Sequence, residues 1–175
     1  IYHGKWVWYY ENGNINQKGN YRDGLQDGEY IGYFENQEEA IEWVWYHENG
    51  SYTGNTTRFY EDVNIWYVGK TITLENGKSG WNGGRTVYYN TGEIEIEENW
   101  ENGLKTGIYK AYYKNGNIEW IYYFDNDGKR DGSKKTTRFH ENGNIWYEGF
   151  IVTLEDGETE WDGLKINYDE TGRKI

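Results

Sequence analysis

Turns closed by glycine recur along this chain at near-constant intervals, and they leave only short runs between them. The stretch Trp6 to Gly28 shows the unit. An aromatic run ends at Tyr9-Tyr10 and Asn12-Gly13 breaks it; a polar run ends at Tyr21 and Asp23-Gly24 breaks that. Asn-Gly and Asp-Gly between β-prone runs are strong hairpin signals, because both residues tolerate the positive φ of a tight turn. The first turn returns as Thr91-Gly92, Asn115-Gly116, Asn142-Gly143 and Thr171-Gly172. The second returns as Asn49-Gly50, Asn76-Gly77, Asn102-Gly103, Asp127-Gly128 and Asp156-Gly157. A closing glycine follows at Gly28, Gly54, Gly80, Gly107 and Gly132, spaced by 26, 26, 27 and 25 residues.

A longer period overlays this one. Thr56-Thr57-Arg58-Phe59 returns 80 residues later as Thr136-Thr137-Arg138-Phe139, Ile65-Trp66-Tyr67 as Ile145-Trp146-Tyr147, and Trp81-Asn82-Gly83 as Trp161-Asp162-Gly163. Three hairpins are therefore duplicated as a block. The expected units are 4–28, 29–54, 55–80, 81–107, 108–132 and 133–160, with 161–175 a partial unit shaped like a terminal cap. Two first turns depart from the rule. Asn36-Gln37 stands in the second unit, and Asp62-Val63 in the third, where a β-branched residue at positive φ is disfavoured and another loop shape is expected.

The composition supports strands. Trp, Tyr and Phe number 10, 19 and 5, there is no Met or Pro, and no window carries a helical apolar stripe. The fold class is all-β, read as an elongated, twisted antiparallel meander of six to seven hairpins in one layer. The net charge of −12 argues against direct binding to nucleic acid or to an anionic membrane and favours a basic partner. Cys is absent, which excludes disulfides, thiol catalysis and zinc-thiolate sites.

YYENGNINQKGNYRDGLQDGEY and AYYKNGNIEWIYYFDNDGKRDG resemble MORN repeats, in the bacterial variant described as antitoxin-type: a paired aromatic, Asn-Gly, an aliphatic, an aromatic, then Asp/Asn-Gly and a closing Gly. The resemblance spans nearly the whole chain. It implies a meander of hairpins and a role in protein binding, including toxin neutralisation, or in surface and secreted functions; lipid binding is also proposed for the wider family. A shorter-period resemblance is to aromatic, Gly-rich cell-wall-binding repeats.

Each unit carries adjacent aromatics. One row, Tyr9, Tyr33, Phe59, Tyr88, Tyr112 and Phe139, is expected on one face, and Tyr10, Phe34, Tyr60, Tyr89, Tyr113 and His140 on the other. A single sheet cannot bury both. Either Arg and Lys stems cover them, or the second row, with Trp8, Trp43, Trp66 and Trp146, forms an exposed track for a partner. In the alternating run Glu93 to Glu98, Ile94 and Ile96 are expected to face inward and Glu93, Glu95 and Glu97 outward together, either as a solvated strand face or as an acidic patch. The candidate partner-binding residues are thus Tyr10, Phe34, Trp43, Tyr60, Trp66, Tyr89, Tyr113, Trp146, Glu93, Glu95 and Glu97. Glu35, Glu38, Glu39 and Glu42 form a second acidic run.

Catalysis has little support. His3, His47 and His140 assemble no triad or metal-ligand spacing, and His47 and His140 replace the aromatics Tyr21 and Tyr10 of the first unit. Asp125-Asn126-Asp127-Gly128 with Asp131 is similar to a calcium loop but falls in register as an ordinary second turn. No cofactor or metal is expected. The leading expectation is a non-enzymatic protein-binding module of the antitoxin or immunity kind; the alternatives are a secreted or surface-displayed adhesin for host protein or glycan, and a structural spacer. Because the chain begins at Ile1, the location follows from the role: cytoplasmic for an immunity-like protein, extracellular or cell-surface if a leader precedes Ile1.

Overall fold

Strands and turns account for the whole of the computed structural model, which describes residues 1–175. The strands are β1 (Gly4–Tyr9), β2 (Ile15–Arg22), β3 (Leu25–Gln26), β4 (Gly28–Tyr33), β5 (Ile41–Glu48), β6 (Ser51–Tyr52), β7 (Asn55–Phe59), β8 (Ile65–Thr73), β9 (Ser79–Tyr88), β10 (Ile94–Glu101), β11 (Leu104–Tyr112), β12 (Ile118–Phe124), β13 (Lys135–Phe139), β14 (Ile145–Thr153) and β15 (Thr159–Asn167). All lie in one antiparallel sheet in chain order; β3 and β6 fold back on β2 and β5. At a strand spacing of about 4.8 Å the sheet runs roughly 60 Å. The chain exposes 10894 Å², against about 8,900 Å² for a compact chain of this mass. Only 12 of 175 residues are buried, which is what a single layer allows.

The turns set the two long edges of the ribbon. Along one edge the residue after each strand bonds its amide to a carbonyl four residues on, and a residue with positive φ closes the loop: Tyr10 with Asn14, Tyr89 with Glu93, Tyr113 with Asn117 and His140 with Asn144; Asp169 with Arg173, two residues beyond β15, does the same. Tyr60 bonds Asn64 in the same way, at 2.8 Å, and Val63 sits at φ 63. Here the sequence expectation is corrected: the array holds the valine in the left-handed region rather than reshaping the loop. Only the second hairpin differs, where Phe34 bonds Ala40 and Glu39 takes the positive φ. Along the other edge Asp23-Gly24, Asn49-Gly50 and Asn102-Gly103 are two-residue turns with both φ positive, whereas 74–78, 125–129 and 154–158 repeat the longer loop.

Four of the expected unit boundaries cut strands, since 28/29 falls in β4, 80/81 in β9, 107/108 in β11 and 160/161 in β15. Within β9 the glycine at positive φ is Gly83 (φ 101), not Gly80.

Register defines the two faces. One continuous row reads Trp8, Gln17, Gly32, Trp43, Arg58, Tyr67, Val87, Ile96, Ala111, Trp120, Arg138, Tyr147, Asn167. The opposite face carries Val7, Lys18, Ile31, Val44, Thr57, Val68, Thr86, Glu97, Lys110, Ile121, Thr137, Glu148, Ile166. All ten tryptophans lie on the first face. We call it the tryptophan face.

Rings cover this face by lying over residues that lack side chains. A Cβ at Gly32 would stand 2.0 Å from the Trp43 ring, one at Gly19 2.5 Å from Tyr30, and ones at Gly69 and Gly149 2.8 and 2.9 Å from Trp81 and Trp161. Trp43 and Trp45 stack at 4.3 Å and Tyr109 and Tyr122 at 4.2 Å; such pairs add about 0.5–1.5 kcal/mol each beyond the area they bury. The first aromatic of each pair ends its strand on the opposite face, beside the isoleucine after the turn: Tyr33 with Ile41, Tyr88 with Ile94, Tyr112 with Ile118.

Candidate functional site

Every hairpin of the array contains a β-bulge at the same place. The ladder slips between Trp8 and Tyr9, Gly32 and Tyr33, Arg58 and Phe59, Ile94 and Ile96, Ala111 and Tyr112, and Arg138 and Phe139. The extra residue is Asn16, Glu42, Trp66, Glu95, Glu119 or Trp146, always the one after the isoleucine that follows the first turn. A bulge turns its extra side chain toward the face of its neighbour, here the tryptophan face. The result is one row of amide, carboxylate or indole groups spaced about 10 Å apart, two strand widths per hairpin.

The turn aromatics stand beside this row and are stapled. Tyr10 donates its hydroxyl to the Tyr33 carbonyl at 2.7 Å, Tyr60 to Tyr88 at 2.8 Å, Tyr89 to Tyr112 at 2.7 Å and Tyr113 to Phe139 at 2.8 Å. His140 takes the same position with Nε2 3.2 Å from the Tyr168 carbonyl. Phe34, without a hydroxyl, leaves its rung empty. Asparagine amides tie the same turns together: Asn12 and Asn14 donate to the Glu35 carbonyl, Asn115 and Asn117 to Glu141, Asn142 and Asn144 to Glu170.

Arg58 and Arg138 complete the row. Arg58 pairs with Glu42 on one side and lies 5.6 Å from the Trp66 ring on the other. Arg138 pairs with Glu119 at 2.9 Å and lies 4.4 Å from Trp146 and 4.7 Å from Trp120. A guanidinium held between a carboxylate and an indole fixes both. Trp66 and Trp146 remain 38% and 39% exposed.

The electrostatics of the strip are negative. Burial, followed by the charge of Glu42 and Glu35, raises the Tyr10 phenol above its ordinary value; burial and Glu95 do so at Tyr60 and Tyr89. At Tyr113 burial and Glu119 raise it against the opposing Arg138. The adjoining turn edge exposes Glu11, Glu35, Glu38, Glu39, Glu61, Asp62, Glu93, Glu141 and Glu170, with Lys114 and Arg173 its basic residues, and Arg173 is already paired to Asp169.

Of the residues singled out in the sequence, Tyr10, Phe34, Tyr60, Tyr89, Tyr113, Trp66, Trp146 and Glu95 fall in this strip, and Trp43 lies one position inward with its ring over Gly32. The expectation that Glu93, Glu95 and Glu97 face out together is overturned by the bulge. Glu93 sits in the turn, Glu95 is the bulged residue, and Glu97 lies on the opposite face opposite Lys110 and Thr86, accepting a bond from the Tyr112 hydroxyl. Ile94 and Ile96 likewise point to opposite faces, paired with Tyr88 and Val87. Asn16, Glu119, Arg58 and Arg138 were not among the candidates, although the column of residues after each isoleucine was readable. The Glu35–Glu42 run divides: Glu35, Glu38 and Glu39 are exposed in the turn, and Glu42 is in the strip. In the Asp125 loop the carboxylate accepts the amides of Asp127 and Lys129, as an ordinary turn would have it. His47 is buried between Tyr30 and Tyr52, with ring centroids at 4.9 and 4.4 Å.

Comparison with protein families matches three segments, residues 2–23, 105–126 and 134–152, to the MORN repeat variant. These three segments are similar to that repeat. The matched segments make up about a third of it, and each holds an Asn-Gly first turn: Asn12-Gly13, Asn115-Gly116, Asn142-Gly143. The hairpins between them lack that dipeptide, yet those at Tyr60 and Tyr89 close with the same bonds. No curated protein matches the chain. MORN repeats generally act as binding modules for proteins or membranes.

Proposed function

We propose that this chain is a non-enzymatic module that binds another protein through the bulge strip of the tryptophan face, and that it blocks that protein in the manner of an antitoxin or immunity protein. The observation that carries the reading is the strip itself. Six hairpins place indole, phenol and carboxylate groups in one file at a regular step, and the turn edge alongside is almost wholly acidic. Half-exposed indoles with a polar rim are the groups on which protein interfaces concentrate their energy. Their pairing with negative charge selects a basic surface, such as the nucleic-acid groove of a nuclease, and accelerates encounter with it. A single-layer ribbon roughly 60 Å long is large enough to cover such a groove.

The test uses a defined basic probe. An arginine-rich peptide and a glutamate-rich peptide of equal length are titrated against the chain at low and high salt. Binding of the basic peptide alone, weakened by salt and by Trp66→Ala with Trp146→Ala, supports the reading. Equal binding of both peptides, or affinity unchanged by the double substitution, refutes it.

A further inference from the structure

The two copies of the three-hairpin block differ at one place on the tryptophan face. Tyr52 in the first copy and Arg130 in the second are structural equivalents: each follows the second turn of its hairpin, and each amide donates to a threonine hydroxyl, Tyr52 to Thr73 at 2.7 Å and Arg130 to Thr153 at 2.8 Å. In the second copy the Arg130 guanidinium lies 3.1 Å from the centre of the Tyr122 ring and 5.3 Å from that of Phe124. In the first copy the rings at those two registers are Trp45 and His47, and a third ring, Tyr52, stands in place of the cation.

Elsewhere the face supplies its own cations. Arg85 lies 4.7 and 4.9 Å from the Tyr67 and Trp81 rings, Lys105 within 5.6 Å of Trp100, Tyr109 and Phe124, and Lys165 4.0 and 5.1 Å from Tyr147 and Trp161. Trp45 and Tyr52 have no such partner. Together with Tyr67 and Trp81 they wall a recess of about 170 Å³. Its floor is polar: the hydroxyls of Thr56 and Thr71 bond each other at 2.7 Å, and both residues are buried.

We propose that this recess receives an arginine side chain of the basic partner. Aromatic rings attract a guanidinium most strongly where water is excluded, and the floor hydroxyls offer acceptor lone pairs to its N–H groups. The net charge of −12 draws a basic segment to the chain from any direction. In the second copy the Arg130 guanidinium itself takes the position of the Tyr52 wall and lies against the rings at the registers of Trp45 and His47. The proposal rests on the docking function argued above and adds a defined anchor to it, away from the bulge strip.

Copying the second block into the first gives a direct test. Tyr52→Arg places a guanidinium where Arg130 has one and should fill the recess from inside without unfolding the chain, which circular dichroism and thermal melting verify. An arginine-containing peptide and its citrulline isostere are titrated by tryptophan fluorescence. Wild type should prefer the arginine peptide by about tenfold, and Tyr52→Arg should lose that preference. Thr71→Ile, which copies Ile151, should weaken binding with the fold kept. Equal affinity for the two peptides overturns the proposal, as does an arginine preference that survives in folded Tyr52→Arg. If Trp66→Ala with Trp146→Ala abolishes binding while Tyr52→Arg does not, the anchor fails and the strip stands; if neither has an effect, both fall.

Discussion

Val63 offers the sharpest test of how the array dominates its local sequence. It holds φ 63 in a loop whose counterpart, 80 residues on, has Gly143 at φ 88. The two loops have the same bonds: Val63 to the Tyr60 carbonyl at 2.9 Å and Gly143 to the His140 carbonyl at 2.9 Å. A non-glycine residue in the left-handed region costs about 1–3 kcal/mol, the upper part of that range applying to a β-branched one. Replacing it with glycine returns that strain but costs roughly 0.5–1 kcal/mol in the freedom of the unfolded chain. The side chain is 59% exposed, so little burial is lost. Val63→Gly should therefore stabilise the chain by about 1 kcal/mol, and the reciprocal Gly143→Val should destabilise it by a similar or larger amount. For a chain of this size 1 kcal/mol corresponds to roughly 2–4 °C in melting temperature. Differential scanning calorimetry on both variants decides it. A lower melting temperature for Val63→Gly, or no effect of Gly143→Val, would refute the claim that the neighbouring hairpins impose this turn.

The hydroxyl ladder predicts that Tyr89→Phe costs about 1 kcal/mol in denaturant melts, and that Phe34→Tyr, which adds the missing rung toward the Phe59 carbonyl, recovers part of such a loss. Burial pushes the His47 imidazole below its ordinary value of 6.5, so the unfolded chain takes up a proton that the folded chain refuses. The stability from this site is intact above that value and falls as the pH drops from there toward the folded value. Melting at pH values on either side should show that slope, and His47→Phe, which copies Phe124 at the same register, should flatten it. Glu98 is buried with Arg85 at 2.6 Å and Lys105 at 2.9 Å; burial alone would raise its carboxyl, but the bonds from Lys105 and Arg85 outweigh that and hold it low. Glu98→Ala leaves both cations without their shared partner and should cost on the order of 3–5 kcal/mol in urea titration.

The hairpin architecture was legible because it is local: Asn12-Gly13 and Asp23-Gly24 carry their turn chemistry within two residues. The faces were not, because one bulge per hairpin shifts the strand's alternation. Glu93, Glu95 and Glu97 alternate cleanly in sequence, yet Glu95 is the extra residue and sends Glu97 to the other side. The turn at Val63 misled for the opposite reason: the residue preference was read correctly, but the staples to the following turn, Tyr60 to Tyr88 and Asn64 to Asn90, outweigh it. The partnership of Arg58 and Arg138 with Glu42 and Glu119 joins different hairpins, and no spacing within a unit announces it.

All ten tryptophans share one face, so their indole N–H signals report on that face alone. A two-dimensional NMR titration with the arginine-rich peptide, with the signals of Trp66 and Trp146 assigned by single substitution, is the most direct measurement. Docking as described here shifts these two signals together with those of Trp45 and Trp81. A peptide that binds and leaves every indole signal in place would contradict it.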